Sequence, residues 1–235
     1  MYMGRAGTRA AYRRLTDRRL ADDSDPVADD GVRSELLLLG SATLGESGGL
    51  VMRPRVKAAW PGARLAAPAV PVRCTPGDNL AIHVAVATAA RGHVLVVDVG
   101  DVAERGYWGE VLTTGAESRG LSGLVIDGGV RDVDAIAAHG FPVFSAAIAL
   151  RGATKQSPGT VGVPVVVGGV QVSSGDWVVG DADGVTVVAL SALTAVLVAG
   201  RARARKEEGM FEALRTGSTT MELLGLDPEP VEVSD

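Results

Sequence analysis

The sequence predicts an α/β protein: parallel strand–helix–strand units, then a run of antiparallel strands, then one long C-terminal helix. Three observations carry that expectation. From Pro76 to Ile148, short apolar runs alternate with helix-like segments, the pattern of parallel βαβ units. From Val163 to Ala189, Val-rich runs are punctuated by Gly168-Gly169, Ser174-Gly175 and Asp183-Gly184, which is the chemistry of tight antiparallel turns. The segment LSALTAVLVAGRARARKEEGMFEALRTG then begins apolar and becomes charged, as a single long helix would.

Composition sets the outer bounds. A chain of 235 residues with 46% apolar content can bury one sizeable core, and at ~150 residues per domain it is expected to hold one domain, residues 33–235, plus an extension. Aromatics are only 4%, so the core must be Val, Leu, Ala and Ile. The formal net charge of −5 argues against a nucleic-acid partner, which normally needs a basic face. A single cysteine, Cys74, excludes an internal disulfide and any multi-Cys zinc site, and reads as a small buried hydrophobe. No apolar run approaches the ~18 residues of a membrane span and the N-terminus lacks a secretory apolar core, so a cytoplasmic location without a membrane partner is expected.

Each element has its own local signal. Residues 1–32, Arg-rich and then Asp-rich, have too few large apolar side chains to fold alone and are expected to form a disordered or loosely attached extension. SELLLLGSATLGESGG suggests a short helix and turn, and RVKAAWPGARLAAPAVPVRC suggests strands broken at Pro61-Gly62. PGDNLAIHVAVATAARG reads as a helix capped by Asp78 and closed by Gly92. A strand over Val94–Val99 leads into the loop GDVAERGYW and a helix that ends at Gly120. LSGLVID is a strand that runs into Gly128 and Gly129, with the next helix starting near Arg131. FPVFSAAI is a further strand, and Arg151–Gly162 a glycine-rich loop.

Two features lose to plainer readings. GESGG, Gly45–Gly49, fits the G-x-S-x-G nucleophile elbow around Ser47, but that motif needs a strand before it and a helix after it, and the subsequent VMRPRVKAAWPG is strand-like. A glycine-rich turn fits better. The three histidines, His83, His93 and His139, lack the i, i+4 spacing of a helical zinc pair and read as structural. His83 stays open as a site residue because it lies one turn beyond Asp78 and Asn79 on the same helix.

The sharper candidate is VIDGGVRD. In open α/β sheets ligands bind beyond the carboxyl ends of the strands, where helix N-termini offer free amides and a partial positive charge. Arg131 and Asp132 fall at that mouth, and Gly109-Glu110 opens another helix at the same edge, with 20 residues between Glu110 and Arg131. Glu110 and Asp132 could share a hard divalent ion. Equally, both acids could simply stabilise helix starts.

The pattern Glu110-x20-Arg131-Asp132, with VIDGGVRD, WPGARLAAPAV, PGDNLAIH, GFPVF and GDWVVGDADGVTVV, resembles the RraA-like family over about Ser41 to Glu208. That family includes the 4-hydroxy-4-methyl-2-oxoglutarate/4-carboxy-4-hydroxy-2-oxoadipate class II aldolases and the non-catalytic regulators of RNase E. The resemblance implies a swivelling β/β/α sandwich, assembled as a homotrimer or a dimer of trimers with sites between subunits. It implies that Glu110 and Asp132 hold Mg2+ or Mn2+ largely through waters, and that Arg131 contacts a 2-oxo acid. The amides of Gly109, Glu110, Val111 and Leu112 would cradle the substrate carboxylate, with Asn79 and His83 nearby and Lys155 as a loop cation. Glu207 or Glu208 would approach from a neighbouring subunit.

The function implied by the resemblance is that of a metal-dependent lyase, which cleaves a pyruvate-derived 4-hydroxy-2-oxo acid or decarboxylates oxaloacetate. The alternatives are a non-catalytic protein-binding regulator of a ribonuclease, and the same scaffold recruited to another carbonyl substrate. A Schiff-base lysine would be a rival mechanism, but Lys155 in a glycine-rich loop suits charge stabilisation better. Glu110 favours the enzyme, because a regulator needs no metal-holding acid at that offset.

Overall fold

A computed structural model describes residues 30–100 and 104–231. Most of the expected extension, residues 1–29, lies outside that range, and from Asp30 the chain is already helical. Helix α1 (Asp30–Gly45) bends at Gly40, whose φ of 75° only glycine adopts freely. The bend frees the Ser41 amide from the helical ladder, and Asp181 accepts hydrogen bonds from both Ser41 N (2.7 Å) and Ser41 Oγ (2.6 Å).

After short strands β1 (Leu50–Val51) and β2 (Lys57–Ala58) comes β3 (Leu65–Cys74), buried at nine of its ten residues. Helix α2 (Leu80–Thr88), β4 (Val94–Asp98), β5 (Arg105–Trp108), α3 (Glu110–Arg119), β6 (Gly123–Val130), α4 (Val133–His139) and β7 (Val143–Ile148) complete the parallel part. Strands β3, β4, β6 and β7 pair parallel in that order, and β5 pairs parallel with the far end of β6 and with β8 (Arg151–Gly152). The antiparallel part comes next: β9 (Gly159–Val161), the hairpin β10 (Val165–Val167) and β11 (Val170–Val172), then β12 (Trp177–Gly180) and β13 (Val185–Val188). A single turn of 3-10 helix leads into the long α5 (Leu193–Arg215) and then α6 (Thr220–Leu224), with a capping box between Thr219 and Glu222.

Strand β3 joins the two parts. Its first residues, Leu65–Pro68, pair antiparallel with β12, whereas Ala69–Arg73 pair parallel with β4. The sheet therefore curls and encloses apolar side chains on both faces. On one face α2, α3 and α4 bury Ile82, Leu112 and Ile136 against Leu95, Val97, Leu124 and Ile126. On the other, the β10–β11 hairpin and β13 close over Val94, Val96, Val125 and Phe144. Helices α1 and α5 cover the outside of β12 and β13 through Leu36, Leu44, Val196 and Leu197.

Several local expectations need correction. The loop GDVAERGYW contains β5, which was not expected. Strand β6 does not stop at Asp127 but continues through both glycines, with a register shift between Ile126 and Gly129, because it has a partner on each side there: Gly129 pairs with Gly106 of β5 and with Ala147 of β7. Helix α4 starts at Val133, near Arg131 as expected, with Asp132 as its N-cap. Helix α2 ends at Thr88, short of Gly92, and its N-cap is Asn79 rather than Asp78. Ser47 follows a helix and precedes a strand, the reverse of a nucleophile elbow, and its hydroxyl donates to Thr43 O at 2.7 Å. Cys74 is buried, as a small hydrophobe should be, and burial pushes its thiol up to about 12.

Candidate active site

The carboxyl ends of β5 and β6 meet the start of α3, and their residues form a cleft of about 210 Å³. Its lining includes Asn79, His83, Gly109, Val111, Leu112, Arg131, Asp132 and Lys155, together with Gly106, Tyr107 and Trp108 of β5. Eight positions singled out in the sequence thus converge on one surface, although they come from α2, α3, the β6–α4 junction and the loop after β8.

Asp132 fixes the corner. It has φ 58° and ψ 38°, the one left-handed non-glycine residue among those described. Such a conformation costs on the order of 1–3 kcal/mol and persists where surrounding contacts impose it. Although Asp132 is the N-cap of α4, its side chain does not cap that helix; Oδ2 instead accepts the Glu110 amide, 3.1 Å away, at the start of α3. One carboxylate thereby ties two helix starts together. Gly109 makes the approach possible, since a Cβ there would collide with Asp132 Oδ2. Arg131 packs its stem over Gly106 and Gly109, where a Cβ would come within 3.1 Å of it, and its Nε lies 3.7 Å from Asp132 Oδ2. Its side chain remains 44% exposed, so its guanidinium is available to a ligand.

Glu110 meets this corner through its backbone only. Its carboxylate Oε1 lies 3.8 Å from His139 Nε2, and His139 Nδ1 is 2.8 Å from Glu117 Oε2. Glu110 is not among the residues lining the cleft. Glu207 and Glu208 lie on α5 beside a separate groove between α1 and α5, and Glu207 pairs with Arg203 at 2.8 Å. Among the described residues, no group of three or more His, Cys, Asp or Glu side chains is close enough to hold a metal through protein ligands alone.

The inner wall holds unsatisfied polarity. Asn79 is 5% exposed and donates Nδ2 to Tyr107 O at 2.7 Å, but its Oδ1 is buried without a partner, as is His83 Nε2. Buried polar atoms are normally paired, so two orphans on one cleft are open positions for a polar ligand. Burial holds the His83 imidazole below its ordinary pKa; the Lys155 ammonium pushes it the same way and Asp78 opposes. Neutral His83 therefore prevails at neutral pH. Behind the wall, the Trp108 indole donates to Thr113 Oγ1 at 2.8 Å and its ring stacks on Phe141, which fixes β5 against α3 and α4.

Sequence reasoning missed the supporting contributions of Tyr107 and Trp108, because their short strand was hidden among loop residues. It also assigned Asp78 to a helix cap. Asp78 Oδ1 does accept Leu80 N at 2.8 Å, but its Oδ2 accepts from the loop that carries Lys155.

This geometry coincides with a family pattern. The sequence model of the RraA-like family, described as Aldolase/RraA, matches residues 27–187. The chain belongs to the RraA-like family. Among relatives of this RraA-like chain, a Halalkalibacterium halodurans protein with the provisional name 4-hydroxy-4-methyl-2-oxoglutarate aldolase is 39% identical over 121 residues, which is 52% of this chain and 58% of the relative's length. The chain therefore matches less than two thirds of that relative. A Pseudomonas syringae pv. tomato structure of uncharacterised function superposes with TM-score 0.75 at 27% identity, covering 87% of this chain and 97% of that one. The RNA-processing inhibitor RraA from Thermus thermophilis superposes with TM-score 0.58 at 26% identity over 63% and 91% of the two chains. The RraA-like fold, a curled mixed sheet with a long C-terminal helix, is thus shared with these structures.

Proposed function

We propose that the protein is a carbon–carbon lyase of the class II aldolase and oxaloacetate decarboxylase type, acting on a small pyruvate-derived 4-hydroxy-2-oxo acid with Mg2+ or Mn2+. The observation that carries this reading is the convergence of Arg131, Asp132, Lys155, Asn79, His83 and the opening turn of α3 on one cleft. At about 210 Å³ it is smaller than the roughly 300–1,000 Å³ of sites for drug-sized ligands, as suits a small acid. The provisional aldolase name of the Halalkalibacterium halodurans relative agrees with it.

The chain's own residues divide the work. The opening turn of α3, with its partial positive charge, faces a substrate carboxylate. The Arg131 guanidinium binds the 2-oxo acid and stabilises charge where it develops. Lys155 adds a second cation at the loop edge. Asn79 Oδ1 accepts from the substrate's hydroxyl, and neutral His83, in the tautomer that carries its proton on Nε2, donates to the keto oxygen. Val111 and Leu112 supply apolar contact at the rim.

The donor set fits a hydrated hard cation rather than an all-protein cage: one carboxylate, Asp132, borders the cleft and faces an anion-binding corner. Asp132 would hold the ion with waters, and Glu207 or Glu208 of a neighbouring subunit would complete the shell in a homotrimer or a dimer of trimers; the Glu110 carboxylate, turned to His139, would take no part while it keeps that partner. When bound, the cation supplies Lewis-acid stabilisation of the negative charge that forms on the keto oxygen.

The test measures pyruvate release from oxaloacetate and from 4-hydroxy-4-methyl-2-oxoglutarate, with added Mg2+ and after EDTA. Metal-dependent pyruvate formation is expected. Release unaffected by EDTA would overturn the metal role, and silence on both substrates would overturn the lyase in favour of a protein-binding regulator.

A further inference from the structure

The least exposed carboxylate near the cleft does not line it. Asp78, 2% exposed, sits behind the wall at the end of β3 and before α2. Its Oδ2 accepts three hydrogen bonds, from Thr154 Oγ1 (2.8 Å), Gln156 N (2.6 Å) and Ser157 N (3.1 Å). These donors flank Lys155 on both sides. The backbone repeats the join: Thr154 N donates to Gly77 O and Asn79 N donates to Thr154 O, each at 2.9 Å. Lys155 has little of its own to hold it, since among the described residues its Nζ reaches only its near neighbour Ala153 O at 3.5 Å. The position of its ammonium therefore depends on the backbone around it. Asn79, the residue after Asp78, carries the buried unpartnered Oδ1 on the opposite side of the join.

We propose that Asp78 is a positioning residue that sets Lys155 against Asn79 across the cleft by clamping the Thr154–Ser157 loop. The proposal rests on the lyase reading for its effect on turnover, but the clamp itself can be read without activity. An ionised carboxylate is well suited to the task, because it accepts from four neutral donors at once. An asparagine has the same shape and one accepting oxygen fewer. Whichever way its amide turns, its NH2 must face at least one backbone N–H, so D78N loosens the loop while leaving the surrounding volume unchanged.

The test compares the wild-type chain with Asp78→Asn, Lys155→Met and the double variant. Trypsin cleavage after Lys155, quantified by the peptide that ends there and normalised to cleavage after Arg201, reads the clamp directly, because cleavage needs local opening of the loop. Cleavage after Lys155 is expected to rise about tenfold in D78N with no change in the normalising site. For oxaloacetate decarboxylation at saturating Mg2+, D78N is expected to lower kcat about tenfold with little change in KM. The double variant is expected to fall within about twofold of Lys155→Met alone, since the two changes act through one group.

Unchanged cleavage after Lys155 in D78N would overturn the clamp, whatever the activity. Losses that multiply in the double variant would overturn action through Lys155 and leave Asp78 merely structural. Should Lys155→Met itself keep full activity, the role of Lys155 in the lyase reading fails, whereas the cleavage result still decides the clamp. If D78N does not fold, Thr154→Val removes one of the same three donors, and a rise of about threefold in cleavage is expected from it; no rise overturns the clamp.

Discussion

At Asp132 a short carboxylate does two things that pull the backbone in an uncommon direction. It accepts the first amide of α3 and it holds the Arg131 head at the rim, both from a left-handed conformation. Arg131 beside it offers the sharpest functional prediction: Arg131→Ala should lower turnover on the order of 10²–10³-fold, the typical loss when one preorganised donor is removed, while the melting temperature stays near wild type because the side chain is half exposed. A second prediction concerns His83. Burial and the Lys155 ammonium hold its imidazole pKa down, so Lys155→Met should raise it, seen as a shift in the His83 Cε1 proton titration by NMR. A third concerns acid. Burial would raise the Asp78 pKa, but the Gln156, Leu80 and Ser157 amides and the Thr154 hydroxyl outweigh it and hold the carboxyl at about 2. A folded-state pKa below the ordinary value means stability that is complete above about pH 4 and is lost as the pH falls toward 2. The melting-temperature advantage of wild type over D78N should therefore be constant from pH 7 to pH 5 and shrink below pH 4.

At the scale of elements, the sequence announced what periodicity and turn chemistry can announce. The helices that became α2, α3 and α4, the strands β4 and β7, and the antiparallel hairpins at Gly168-Gly169 and Asp183-Gly184 were legible because their apolar spacing and end signals agree. Strand β5 was not, because Arg105-Gly106-Tyr107-Trp108 is short and owes its extended form to β6 and β8 on either side. For the same reason β6 passes through Gly128 and Gly129: two neighbours hold it where its own propensity would end it. The cleft was legible as a set of residues, since helix starts after strands mark the carboxyl edge. The direction of the Glu110 side chain was not, because His139, 29 residues further on, is what it meets. Close packing between elements gives a further prediction. A Cβ on Gly180 of β12 would come 2.6 Å from the Phe144 ring of β7, so Gly180→Ala should destabilise the protein by about 1–3 kcal/mol through overpacking, measured by chemical denaturation.

Across the whole molecule, the surface carries more bare apolar area than its charge suggests. Leu38 is 85% exposed, Leu150 84% and Val111 82%, and Phe211 on α5 is half exposed. Val111 lies at the cleft rim and Leu38 and Phe211 in the α1–α5 groove, so a proposed homotrimer or dimer of trimers would cover apolar surface at both places. Light scattering in solution is expected to return the mass of three or six chains, and Val111→Asp is expected to shift that mass downward. A mass of one chain in wild type would overturn the assembly.

The divided loyalty of β3 also has a cost in time. Its later residues find β4 almost at once during synthesis, but its earlier residues pair with Gly180–Trp177, which emerge from the ribosome on the order of a hundred residues later. At ~5–20 residues per second, the stretch from Leu65 to Pro68 waits roughly 5–20 s with its inner edge uncovered. A nascent chain stalled in that window presents an apolar strand, with the Ala69 amide and carbonyl on its open edge, to whatever chaperone or sister chain is nearest.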